Sequence, residues 1–194
     1  MRLSLKSTSN RRIPSRCCLH RTVNRKRATE LPTVIDKLRA LTVDAAIGLP
    51  EELFLYVSSI TPLVNVDLLI KDDRGRTLLT WRDDSYYEPG WHVPGGIIRF
   101  KETFMDRVHA VARIELGATV RADASPLAIN QLVHPSRGVR GHFVALLFKC
   151  TLTSAPDDRR RFKSGSPLPG QWYWHDAPPH NLLAIQDNYR AFFG

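Results

Sequence analysis

Residues 91–117 read Trp91-His92-Val93-Pro94-Gly95-Gly96-Ile97-Ile98-Arg99-Phe100-Lys101-Glu102-Thr103-Phe104-Met105-Asp106-Arg107-Val108-His109-Ala110-Val111-Ala112-Arg113-Ile114-Glu115-Leu116-Gly117. Gly95-Gly96 ends a short strand and removes two side chains, so the backbone can turn sharply and a ligand can approach main-chain atoms. Thr103 and Asp106 have capping-box spacing, with Asp in place of the usual Glu or Gln, which predicts a helix from Phe104. Met105, Val108, Ala112 and Leu116, with Phe104 and Val111 beside them, give that helix one broad apolar face. Gly117 stands where a left-handed C′ residue ends a helix.

Two carboxylates frame the helix. Glu102 precedes it, where an acid complements the positive end of the dipole. Glu115 falls in the last turn, against the negative end, at a cost of ~0.3–1 kcal/mol. It follows Val111 by four residues, on the margin of the apolar face. Taken alone, it reads as a surface Glu that tolerates a small penalty; the alternative is a cation beside it.

The whole stretch resembles the Nudix box, which runs Gly, five residues, Glu, seven residues, then Arg-Glu-hydrophobic-X-Glu-Glu-X-Gly. Gly96, Glu102, Ala112, Glu115 and Gly117 match. Ala110 stands at the Arg position, and Val111 and Ile114 stand at Glu positions, so three charges of the box are missing. The lead-in Trp-X-Val-Pro-Gly-Gly is a further match. Within the family the chain is similar to the GDP-mannose mannosyl hydrolase type, which also lacks two of these Glu residues. That type carries a Thr-Pro-Leu-Val-X-hydrophobic-Asp strand, and this chain has Thr61-Pro62-Leu63-Val64-Asn65-Val66-Asp67. The resemblance runs from about Pro50 to the C-terminus and implies an α/β/α sandwich, a mixed β-sheet between helices.

The 194 residues suffice for one domain with a real core and an extension. The net charge of +9 is local. Residues 1–29 carry nine Lys and Arg and no acid, while 30–194 hold 19 of each sign. The basic pI belongs to residues 1–30, read as a disordered, solvated tail. Its composition matches an organellar transit peptide and equally a translated upstream segment without a role, and the second reading is preferred. The tail is the only part read as able to bind RNA or anionic lipid. No stretch is long and apolar enough to span a membrane. Cys17, Cys18 and Cys150 form neither a disulfide framework nor a zinc site, which fits a reducing, cytoplasmic setting.

Residues 31–49 read as a helical linker through Val34-Ile35-Leu38-Leu41, and the domain as 50–194. Pro50-Glu51-Glu52 starts a helix that Leu53, Leu55, Tyr56 and Ile60 dock. Leu63–Ile70 reads as a strand, Asp72-Asp73-Arg74-Gly75 as a hairpin turn and Thr77–Arg82 as the return strand. Asp67 interrupts an apolar run on the same face as Asn65; alternation favours a solvated face. The related hydrolases carry an Asp at that place that contacts substrate or water, which supports a functional role. Residues 81–90 read as a polar and aromatic loop. Arg82 is either a phosphate ligand, as its family counterpart is, or a surface Arg paired with Asp83 or Asp84. Tyr86 and Tyr87 are of a kind to stack a base or sugar; Trp91 reads as core.

Leu127–Val133 and His142–Cys150 read as strands around the loop 134–141, mobile, positive and suited to a diphosphate lid. His134 is the first candidate base, because the family places a His in the corresponding loop. Residues 157–161 read as a solvated charged loop, Gln171–His175 as a strand and Asn181–Phe193 as an amphipathic helix packed by Leu182, Leu183, Ile185, Tyr189 and Phe192. The related enzymes carry a Gln-His pair shortly before that last strand. Here Ser166-Pro167-Leu168-Pro169-Gly170 supplies neither.

The resemblance therefore implies a hydrolase of a nucleoside-diphosphate sugar such as GDP-mannose. It would use Mg²⁺, with Mn²⁺ an alternative, held by Glu115 and the Gly96 main chain. Glu102 would support that site as a metal ligand or by orienting Glu115. Arg82, Arg99 and Tyr87 would bind substrate, and Asp67 or His134 would act on water or sugar. A homodimer is left open. The competing class is a Nudix-fold binding or regulatory module with a decayed site.

Overall fold

The structure, a computed structural model, describes residues 25–193. The described residues divide into two compact units, with the boundary between Leu41 and Thr42. In the first, α1 spans Arg25–Leu41 and includes the apolar pattern of the linker. Val34, Ile35 and Leu41 of that pattern stand exposed. Of the basic tail, residues 1–24 lie outside the described residues, and 25–30 belong to α1.

The second unit opens with α2 (Glu51–Ile60), started by Pro50 with Glu51 and Glu52 in the first turn. Its inward residues match those expected only in part: Leu53 and Leu55 are half-buried. Tyr56 and Ile60 are exposed, while Ser58 is buried and Phe54 half-buried. Eight strands follow in order with one helix among them: β1 (Leu63–Ile70), β2 (Thr77–Asp84), β3 (Tyr87–His92), β4 (Gly95–Ile97), α3 (Phe104–Val111), β5 (Val120–Ala122), β6 (Ala128–Val133), β7 (His142–Leu152) and β8 (Trp172–His175).

Five strands make a mixed sheet, β4-β1-β7 with β5 and β6 sharing the far edge of β7; β3-β2-β8 make a second sheet. β1 and β7 run parallel, from Leu63 opposite Phe143 to Ile70 opposite Cys150. The expected β1–β2 hairpin is only partly formed. The Asp72 carboxylate accepts the N–H groups of Arg74 and Arg76 in the turn. One bridge, Lys71 to Thr77, then joins the arms before they diverge into different sheets. The expected loop after Arg82 is instead a second hairpin. Asp84 Oδ1 accepts from the N–H groups of Tyr86 and Tyr87, turning the chain tightly, and Trp81 pairs with Trp91 across β2 and β3.

Strand alternation divides the core. Val66, Leu68 and Ile70 pack with Leu146, Phe148, Val108 and Leu116 on the α3 side. Leu69, Trp81, Trp91, Leu147, Leu182 and Tyr189 fill the other side. The Thr103–Asp106 capping box and the left-handed Gly117 (φ 62°) are as the spacing predicts. Between them α3 continues into a π-helical turn, Ala112–Leu116, which an α-helical period does not anticipate. The wider turn rotates the residues that follow Val111, Glu115 among them.

The C-terminal segment is also wound differently. Ala184–Phe192 is a 3₁₀ helix rather than an α-helix. Residues three apart eclipse in that winding, so Leu183, Gln186, Tyr189 and Phe192 form one row, the first three of them buried. The mixed sheet thus lies between α3 and this segment.

Candidate active site

A cavity of about 520 Å³ opens where β1, β2, β4, the π-helical turn and the C-terminal segment meet. Asp67 lies in it because β1 alternation sends residues 65 and 67 away from the α3 side. That face is not solvated, as alternation alone favoured: Tyr189 covers it, and Asp67 is 1% exposed. Asn65 Nδ2 donates to Asp67 Oδ1 at 2.7 Å, and the Tyr189 hydroxyl donates to Oδ2. Burial nevertheless pushes the Asp67 carboxyl up to about 7, against the pull of both hydrogen bonds.

The glycine pair explains how strand and helix approach. Antiparallel register sets Gly95 opposite Asp67. A Cβ on Gly95 would lie 2.1 Å from Asp67 Oδ1, so the carboxylate occupies the space a side chain would need. A Cβ on Gly96 would lie 2.8 Å from Val111 Cγ2, so its missing side chain lets α3 close on β4.

Glu115 reaches the same place from the other side. Its Oε1 accepts the Gly95 N–H at 3.2 Å, and its Oε2 accepts from Thr80 Oγ1 at 2.9 Å. Burial pushes this carboxyl up to about 7 as well; the positive charge of Arg82 opposes the rise and the negative charge of Asp67 adds to it. Thr80 Oγ1 also lies 3.0 Å from His92 Nε2, and His92 Nδ1 lies 2.9 Å from the Val93 carbonyl. Burial holds His92 down to about 4, so the imidazole is neutral at pH 7.

Two features fix these groups. Arg160 Nη1 donates to the carbonyls of Ile114 and Glu115 at 2.7 and 3.0 Å. A cation thus does stand at the negative end of the helix dipole, and it comes from the segment read as a solvated loop. Gln186 bonds both main-chain groups of Val93, accepting from its N–H at 2.7 Å and donating to its carbonyl at 3.4 Å.

The structure brings Asp67, Arg82, Tyr87, Gly96 and Glu115 to one cavity. Arg82 Nε is paired with Asp84 Oδ2 and its guanidinium lies 4.7 Å from the Tyr87 ring centre, so it is both a cavity residue and a paired one. Glu102, Arg99 and His134 do not line the cavity. Glu102 contacts Arg107 rather than Glu115: Arg107 Nη2 pairs with its Oε2 at 2.7 Å, and the Arg99 N–H donates to the same oxygen at 2.9 Å. His134 Nδ1 lies 3.2 Å from Ser136 Oγ. Its loop is closed at the base by a bond from the His134 N–H to the Gly141 carbonyl at 2.7 Å. Sequence reasoning missed Thr80, His92, Gln186, Arg140 and Arg160 as site residues. Thr80 and Arg82 lie two apart on one strand, so alternation from Arg82 was a usable signal for Thr80. The 3₁₀ period of three, had it been recognised, pointed to Gln186.

The carboxylates of Asp67 and Glu115 supply hard oxygen donors to the cavity. Among the described residues, no group of three or more His, Cys, Asp and Glu side chains is placed to hold a metal. Mg²⁺ takes few protein carboxylates and keeps water or ligand oxygens at its other positions, so the set fits that ion.

No family model matches the chain. It is 32% identical over 108 residues to the low-salt glycan biosynthesis protein Agl8 of Haloferax volcanii, covering 54% of this chain and 68% of that protein. Among solved structures, a MutT NUDIX hydrolase from Burkholderia pseudomallei superposes with a TM-score of 0.55 at 21% identity, covering 69% of this chain and 99% of that one. A MutT protein from Methanosarcina mazei Go1 gives a TM-score of 0.52 at 19% identity, covering 69% and 92%.

Proposed function

The chain belongs to the family of the glycan biosynthesis protein Agl8 and has the Nudix fold, and from that premise we propose that it is a Mg²⁺-dependent hydrolase of a nucleoside-diphosphate sugar such as GDP-mannose. The observation that carries this reading is the pair Asp67 and Glu115. Both contact Gly95, both are buried, and both are raised to about 7 beside a cavity walled by Arg82. A cavity of about 520 Å³ lies in the range that small-molecule sites occupy. A relative named for glycan biosynthesis fits a sugar nucleotide.

Each residue has a chemical part. When a divalent ion is bound, Glu115 would hold it, with Asp67 and the Gly96 main chain beside it. Mg²⁺, or Mn²⁺ in its place, supplies charge compensation for a departing diphosphate. Arg82 presents a guanidinium to phosphate oxygens, and Asp84 keeps it in place. Asp67 takes a proton from the attacking water at a carboxylate oxygen; a carboxyl near 7 is matched to that task at neutral pH. His134 and Arg99, outside the cavity, take no part in this scheme. Glu102 acts through Arg107, anchoring the chain between β4 and α3.

A second reading, a Nudix-fold binding or regulatory module, is favoured by one observation. Val111 and Ile114 are apolar where the resemblance places acids, and the wall at Pro169 and Gly170 supplies no base. No helix among the described residues is long and apolar enough to cross a membrane. The cysteine usage supports the cytoplasmic setting of the proposed enzyme. The deciding experiment is turnover of a panel of nucleotide sugars and dinucleoside polyphosphates with Mg²⁺, for wild type and Glu115→Gln. Metal-dependent turnover lost in the variant supports the hydrolase, and ¹⁸O from water in the sugar or in the phosphate identifies the bond cleaved. Binding of the same compounds without turnover, unchanged in Glu115→Gln, supports the binding module.

A further inference from the structure

Arg140 lies in the cavity wall, yet nothing in the scheme above uses it. It is one of two non-glycine residues among those described with a positive φ, at 49°. That conformation is costly for a side chain of this size and persists only where the surroundings hold it. Helix α2 does much of the holding. Ser58 Oγ accepts the Arg140 N–H at 3.1 Å, and the Phe54 ring centre lies 5.6 Å from the guanidinium carbon. Tyr86 flanks the same carbon at 4.4 Å.

The guanidinium so placed is incompletely satisfied. Its Nε is buried without a hydrogen-bond partner, and among the described residues no carboxylate forms an ion pair with it. Burial lowers its affinity for its proton and the nearby positive charge of Arg82 lowers it further, against the opposing pull of Tyr87, Asp84 and Tyr86. Arg137, over the Tyr87 ring at 4.1 Å, also has a buried nitrogen, Nη1, without a partner. Buried polar nitrogens stay unpartnered only at a cost, and an anion that reaches Arg140 offsets it.

We propose that Arg140 is a second anion-binding arginine of the cavity, positioned by Ser58 and Phe54 of α2, and that it reads the diphosphate of the ligand together with Arg82. The proposal rests on the nucleotide-sugar reading for the identity of the anion, but not on turnover. Helix α2, which carries none of the box residues, becomes part of the binding site through it. A planar guanidinium suits two phosphate oxygens at once, so lysine is a poor substitute.

The test is calorimetric binding of inorganic pyrophosphate to the full chain, with Mg²⁺ present. Arg140→Gln is expected to weaken binding by about tenfold or more, as loss of a charge-assisted hydrogen bond does. Arg140→Lys should recover only part of that loss. Ser58→Ala, remote from the ligand, should weaken binding by about threefold, with no further loss when combined with Arg140→Gln, because the serine acts only through the arginine. Hydrogen exchange in α2 should slow when pyrophosphate binds wild type and not when it binds Arg140→Gln. Wild-type affinity in a folded Arg140→Gln protein overturns the proposal. So does a loss in Ser58→Ala that simply adds to that of Arg140→Gln. Failure of the hydrolase reading would appear instead as absent turnover with pyrophosphate binding intact.

Discussion

Arg160 holds Glu115 by its main chain, donating to its carbonyl at 3.0 Å and to that of Ile114 at 2.7 Å. The carboxylate of the same residue is free to face the cavity, where Thr80 and Gly95 receive it. One residue is thus fixed at both ends, and the guanidinium offsets the penalty of an acid in the last helical turn. Arg160→Met is expected to lower unfolding free energy by about 1 kcal/mol and to weaken Mg²⁺ binding. Urea titration and competition with a fluorescent Mg²⁺ indicator check the two effects separately.

Gly95 is expected to be intolerant of even a methyl group. The Cβ of Gly95→Ala would fall 2.1 Å from Asp67 Oδ1 and 3.0 Å from the Val66 carbonyl. The carboxylate must move, and the cost is about 1–3 kcal/mol. The double variant Gly95→Ala/Asp67→Ala should recover part of that stability and none of the activity. A double variant no more stable than Gly95→Ala would show that the backbone, not Asp67, meets the methyl group.

The two raised carboxyls impose a pH dependence on folding in the absence of divalent ions. Asp67 and Glu115 have ordinary values of 3.8 and 4.5, and each is raised to about 7 in the folded state. Between those limits the folded protein keeps protons that the unfolded chain has released. Their contribution to stability is therefore complete below about pH 4, falls as pH rises to about 7, and is level above that. Urea midpoints at a series of pH values should show the decline. Asp67→Asn or Glu115→Gln should flatten it, and saturating Mg²⁺ should reverse it by binding the ionised form.

Tyr189 tunes the proposed base. Its hydroxyl donates to Asp67 Oδ2 and favours the ionised carboxylate. In Tyr189→Phe the Asp67 carboxyl should rise further, so the ascending limb of the pH–rate profile should move to higher pH while the alkaline plateau is retained. An unmoved limb would mean that another group takes the proton from water.

Much of this arrangement was legible from local rules. The capping box at Thr103 and the left-handed stop at Gly117 follow from cap chemistry within a few residues, whereas Gly95-Gly96, expected to end a short strand, instead opens β4 after a break at Val93-Pro94. Glu115 read alone as a surface acid at the wrong end of a dipole, and it was the resemblance of residues 91–117 to the Nudix box that made it a site residue. What escaped reading depends on contacts distant in sequence. Asp67 looked solvated because its cover, Tyr189, arrives 122 residues later. Arg160 looked solvated because its acceptors are carbonyls 45 and 46 residues upstream. The π-helical turn at Ala112–Leu116 and the 3₁₀ winding of Ala184–Phe192 carry periods that an α-helical template does not match. His134 and Arg99 came from the resemblance alone, and the structure leaves both outside the cavity wall.

The parallel pairing of β1 with β7 has a consequence for how the molecule forms. Leu63 meets Phe143 and Ile70 meets Cys150, so the centre of the sheet closes a loop that contains all of residues 91–117. Such contacts are slow to find, because chain entropy is lost before they are made. During synthesis β1 waits for β7, and the Asp67 carboxylate waits longer still for Tyr189. The cavity is therefore among the last parts of the protein to mature. A ribosome-bound chain halted before residue 189 should present a folded α3 with no competent pocket.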